Sequence, residues 1–105
     1  MTSPRFIPRS YSEQPKLFGD TMLMTWRPLP EDASESLLDQ AGAAKMQHLA
    51  AVKIRDAAIA EHGSVKVYAE MFDMEYGRLT KLLSGTVLMR FEDLARAERN
   101  LGLKL

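Results

Sequence analysis

The sequence predicts a mainly α-helical protein of four to five helices, preceded by an extended N-terminal arm that carries a short candidate β-strand. Three observations predict it. Leu79, Leu82 and Leu83 recur at helical spacing ahead of Gly85. Ser64 stands before a short apolar run that ends at Phe72-Asp73-Met74. Pro4, Pro8 and Pro15 punctuate the beginning of the chain, where they disfavour a stable helix. Residues 1–33 therefore form the arm, with the candidate strand at 21–27, and residues 34–105 form the helical domain.

Within the arm, Met22, Met24 and Trp26 alternate with Thr21, Leu23, Thr25 and Arg27, the period-two pattern of a strand. A lone strand leaves its backbone groups unpaired. It has to pair with Phe6-Ile7, with Lys16-Leu17-Phe18, or with the same strand of a second subunit, which would make it a dimerisation element. Equally compatible is a loop laid across its own helical bundle with Trp26 as the plug. Arg27-Pro28-Leu29-Pro30 reads as a rigid link, and Glu31-Asp32-Ala33-Ser34 supplies acids and a cap for a helix starting near Ser34 or Glu35. That helix is expected to bend or break near Gly42 and resume through Met46, Leu49, Ala50, Ile54 and Ala57, with Lys53 intruding on the stripe. Whether 34–62 is one helix or two stays open.

A second helix begins at the Ser64 cap and runs through Val65, Val67, Tyr68 and Ala69. The small Ala69 permits a close approach by the next helix. Asp73 either takes the positive φ that a tight corner needs, which Asp tolerates better than most residues, or caps the third helix. Over Glu75 to Ser84, at about 100° per residue, the three leucines share one side while Tyr76, Gly77, Thr80, Lys81 and Ser84 share the other, with Arg78 at the flank. The polar side offers a cation, an aromatic hydroxyl and two hydroxyls, groups suited to phosphates and base edges. Gly85 ends the helix where a left-handed residue satisfies its last carbonyls.

These residues resemble the Xre/Cro-type helix-turn-helix proteins related to phage lambda repressor. The resemblance covers residues 43–103 and runs through Ile54, Ser64, Ala69, Met74, Leu79, Leu82, Gly85, Phe91, Leu94, Leu101 and Gly102 without insertions. It implies a four- to five-helix lambda repressor-like helix-turn-helix domain whose third helix lies in the major groove of double-stranded DNA. Carried over by position, base reading falls on Tyr76, Gly77, Thr80 and Lys81 with Arg78 alongside, and Ser84 joins this DNA-facing set. Backbone contacts fall near Val65 and Lys66 and in the loop from Thr86 to Arg90. Lys81 and Arg78 are the expected specificity residues, through guanine or neighbouring acceptors.

Three residues depart from the family pattern. Gly77 replaces a longer polar reader and weakens the helix by about 1 kcal/mol relative to Ala. Glu75 takes the usual Ser/Thr cap; it suits the helix dipole but opposes phosphate. Glu98 stands where a small Ala is common. A fourth departure is coherent: where many members bury an Arg against a Glu, this chain has Ala58 and Leu83. Replacing both charges together avoids stranding one of them.

Fourteen basic and fourteen acidic residues balance to zero net charge, unusual for a protein that neutralises phosphates. The balance is uneven along the chain. Arg5, Arg9, Lys16 and Arg27 outweigh Glu13 and Asp20 before residue 31, whereas 31–62 is acidic through Glu31, Asp32, Glu35, Asp39, Asp56 and Glu61. The absence of cysteine removes disulfides, thiolate metal sites and thiol catalysis. No membrane-length apolar run or signal-peptide pattern is present, so a cytoplasmic location is expected.

His48 and His62 lack an acidic partner at ligand spacing and read as surface histidines rather than metal ligands. Glu92-Asp93 and Glu31-Asp32 read as dipole-stabilising acids at helix starts. Seven methionines are read as core filling. Val87-Leu88-Met89 puts an apolar run in a loop the family keeps polar; a subunit interface is the preferred cover and local burial the alternative.

The expectation is a sequence-specific DNA-binding transcriptional regulator, a repressor acting as a homodimer on an inverted repeat, with no cofactor, metal or catalysis. The runner-up is an antitoxin-like or phage or plasmid control protein whose N-terminal arm binds a protein partner. A third reading is an interaction scaffold that has lost DNA binding.

Overall fold

Ser34 starts the first helix by accepting the Leu37 amide on its hydroxyl at 3.1 Å, and Gly63 stops it in the left-handed region. Between them α1, Glu35–His62, runs unbroken through Gly42 in this computed structural model, which describes residues 6–105. The break expected as one alternative at Gly42 does not form, because one glycine lowers helix stability without removing a backbone donor. Pro4 and Arg5 of the arm lie outside the described residues.

Three shorter helices follow: α2, Val65–Met71; α3, Tyr76–Leu83; and α4, Phe91–Leu101. Among the described residues these four make a mainly α bundle without a strand. Alanines at 41, 44, 50, 51 and 58 form much of the buried side of α1. Their small side chains let neighbours approach the helix closely. Against Ala51, Ile54 and Ala58 pack Tyr68, Ala69, Leu79, Leu83, Ala97 and Leu101, giving one core shared by all four helices. Ala58 and Leu83 are both buried in that core, so neither position places a charge there.

The N-terminal segment crosses α1 on another side. Two 3-10 turns form, Pro8–Tyr11 and Pro15–Leu17; the second takes up one of the expected partner segments, and 21–27 makes no ladder with Phe6-Ile7 either. The strand expected at 21–27 is therefore not formed. Pairing is limited to one antiparallel bridge between Ser12 and Trp26, with Glu13 donating to the Thr25 carbonyl and Arg27 to that of Tyr11, both at 2.9 Å. Trp26 instead meets Phe18 and His48 edge-on, at centroid distances of 6.3 and 5.6 Å. That is the plug alternative. Met24 packs on the core beside it, whereas Met22 stays exposed.

This wrap also overturns the surface reading of His48, which is 1% exposed. Its Nδ1 accepts the Gly19 amide at 2.9 Å and its Nε2 lies 3.3 Å from the Met22 carbonyl. The covering residues lie far from His48 in sequence, so local spacing concealed the burial. His62 is half-buried as well, stacked on Tyr68 at 5.7 Å. No helix of the described residues is long and apolar enough to cross a membrane.

Candidate nucleic-acid interface

The α2–α3 corner is built by the backbone. Asp73 adopts φ 52°, which lets the Met74 amide reach back to the Ala69 carbonyl at 2.8 Å and the Asp73 amide to Glu70 at 3.3 Å. These are the two bonds that close a helix through a left-handed residue. Ala69 is buried at the corner, where a larger side chain would hold α3 away. The next helix closes likewise: Gly85, at φ 75°, allows Thr86 to donate to Lys81 and Gly85 to Leu82. Any Cβ on Gly85 would collide with the Phe18 ring, so glycine is required there for space as well as conformation.

All three leucines of α3 are buried. Burying each stabilises the fold by roughly 1.5–3 kcal/mol and fixes the helix's rotation. On the opposite side Tyr76, Gly77 and Lys81 are exposed and Thr80 and Ser84 half-buried. The described part of the N-terminal segment reaches the buried side and C-terminal end of α3: Arg9 donates to the Gly85 carbonyl, Phe18 packs in the core with Leu79 and Leu83 and against Gly85, and Gly19 lies against the Leu83 carbonyl.

The sequence-predicted residues differ in what they have left to offer. Lys81 is exposed, in the last turn of α3, with no ion pair among the described residues. Gly77 keeps the start of the face flat, and an added Cβ there would meet only the Glu75 carboxylate. Thr80 turns its hydroxyl back to the Gly77 carbonyl at 2.8 Å, and Ser84 shares a contact with Thr86 at 3.1 Å. Lys66 is exposed in the first turn of α2, where Ser64 caps the helix by accepting the Val67 amide. Arg90 is exposed immediately before α4.

Arg78 is the most committed. Its guanidinium donates to both carboxylate oxygens of Asp93, at 2.8 and 3.2 Å, bracing α3 against α4. Asp93 also accepts the Arg90 amide at 2.9 Å. Partial burial pushes the Asp93 carboxyl up, but the Arg78 and Arg90 hydrogen bonds and the two positive charges outweigh it and hold the group below its ordinary value. Reciprocally, the hydrogen bond to Asp93 is the largest influence raising Arg78 above its own ordinary value.

Gln47 is the positioning residue that sequence reasoning missed. Buried on α1, it donates to the Leu82 and Val87 carbonyls, both at 2.9 Å, and accepts the Met89 amide at 2.8 Å. One amide thus fixes the end of α3 and the loop behind it. Val87, Leu88 and Met89 are half-buried against their own chain, which is the local alternative for this apolar run. A glutamine on the alanine-rich side of α1 was the available signal. Among the described residues no group of three or more His, Asp or Glu side chains gathers as a metal site.

The site is therefore an exposed helix face with one lysine unpaired among the described residues, a braced arginine and two flanking basic residues. Comparison of the chain with models of protein families, with curated proteins and with solved structures returns no match.

Proposed function

We propose that this protein is a sequence-specific DNA-binding regulator of the helix-turn-helix type, similar to the Xre/Cro proteins, and that it represses by occupying an inverted-repeat operator as a homodimer. One observation carries the reading: the leucines hold α3 by one side only, leaving Tyr76, Gly77 and Lys81 outward on a helix short enough to enter a major groove. Lys81 reads an acceptor on a base edge. Lys66 and Arg90 meet phosphates and set register. Arg78 acts chiefly by holding α3 in place, because Asp93 takes both ends of its fork. Two copies would present their third helices about 34 Å apart to successive grooves.

A second reading, an interaction scaffold without DNA binding, is favoured by the same details: Arg78 and Thr80 are bonded internally and the net charge is zero. Fluorescence titration with duplexes recovered by binding-site selection, at two salt concentrations, separates them. The regulator binds a selected sequence with affinity falling steeply as salt rises; the scaffold shows no binding even at low salt. In that assay Lys81→Ala should change base preference at a cost of about 1–3 kcal/mol, while Lys66→Ala weakens all sequences alike.

A further inference from the structure

We propose that the outward face of α1 is a self-pairing surface, on which a second copy of this chain lies antiparallel. The face is opposite the alanines that pack the core. Leu38, Met46 and Leu49 are 52, 70 and 44% exposed there, and at about 100° per residue they share one stripe with Gly42. Apolar residues so spaced on an exposed helix form a seam for another helix.

Gly42 gives the seam its point of closest approach. In mid-helix a glycine is less stable than alanine, and a Cβ at this position would meet nothing within 4 Å of its own chain. The single chain thus has no steric need for it. A helix crossing at Gly42 supplies that need, because the missing side chain lets two backbones come together and receives Met46 of the second copy.

Charge selects both the occupant and its direction. Glu35 and Asp39 lie on the stripe toward its N-terminal end, and Lys45 and Lys53 toward its C-terminal end. A parallel pair would set like charges together. An antiparallel pair with Gly42 facing Met46 of the second copy brings Glu35 opposite Lys53 and Asp39 within a turn of it, twice over by symmetry. Asp56 falls opposite residue 32, ahead of the second copy's helix. The Gln47 contact with α3 lies on the buried side of α1, so pairing leaves the α3 face uncovered.

The self-pairing surface is independent of DNA binding, since it is tested by mass in solution without nucleic acid. Light scattering across a concentration series should give a mass rising from 11.8 kDa toward twice that value. Met46→Glu should weaken association by at least about tenfold with unchanged circular dichroism. Glu35→Lys and Lys53→Glu should each weaken it, and the double variant should restore it. Because the native chain has no cysteine, an oxidised mixture of the Gly42→Cys and Met46→Cys chains should cross-link into the mixed dimer in preference to either alone. A mass that stays at one chain at every concentration, a dimer indifferent to Met46→Glu, or a charge swap that fails to restore association would overturn the proposal.

Discussion

Gln47 and His48 are neighbours on α1, both buried, and each fastens an irregular segment to a different side of the helix. Gln47 makes three hydrogen bonds to the backbone of 82–89, whose other support is the leucine core. His48 holds Gly19 and Met22 of the N-terminal wrap, whose Phe18 joins the same leucine core while Trp26 and Met24 pack against it. Irregular backbone cannot satisfy its own donors and acceptors, so burying it requires a polar side chain with matching geometry. An amide with two donors and one acceptor can hold a turn. The His48 ring, meeting one amide and one carbonyl, holds a strap.

The largest expected effect tests what both clasps depend on. Leu79→Ala should cost about 2–5 kcal/mol in urea unfolding and release both segments together; a small loss would mean that α3 is not anchored by its leucines. Gln47→Ala, which removes the side-chain partner of the Val87 carbonyl and the Met89 amide and one of two donors to the Leu82 carbonyl, should cost about 2–3 kcal/mol. Hydrogen exchange should speed up at Met89 and stay slow at Gly19. Equal acceleration at both would erase the distinction between the two sides.

His48→Leu should cost about 1–2 kcal/mol by orphaning the Gly19 amide. The emission of Trp26, the chain's one tryptophan, should shift red as the wrap loosens while helical circular dichroism is retained. Loss of helix content would show instead that the wrap is part of the cooperative core.

The smallest effect belongs to Arg78 and Asp93, a surface pair with the carboxylate half-buried, worth about 0.2–1 kcal/mol. Because the Asp93 carboxyl is held below its ordinary value, the unfolded chain takes up its proton first on acidification. The contribution is therefore complete above the unfolded value, about pH 4, and disappears as pH falls through the depressed folded value. Stability curves of the native protein and Asp93→Asn should converge over that interval, and parallel curves would contradict the assignment.

Features fixed by neighbours in the chain were legible in the sequence: the leucine side of α3, the Ser34 and Ser64 caps, and the left-handed Asp73 and Gly85. What failed depends on distant partners. The alternation over 21–27 is real for Met24 and Trp26, but α1 and the 3-10 turns, rather than a strand, receive that segment. His48 looked exposed because its cover arrives from 26 and 29 residues away. Arg78 looked free because its acceptor lies fifteen residues on, in α4.

Amide chemical-shift mapping with a selected duplex decides whether α3 is the helix that meets DNA. Shifts should concentrate at Lys66, Tyr76, Gly77 and Lys81, with Leu38 and Met46 unmoved. Saturable binding that leaves the α3 face unchanged, or shifts confined to the N-terminal wrap, would contradict that role for α3.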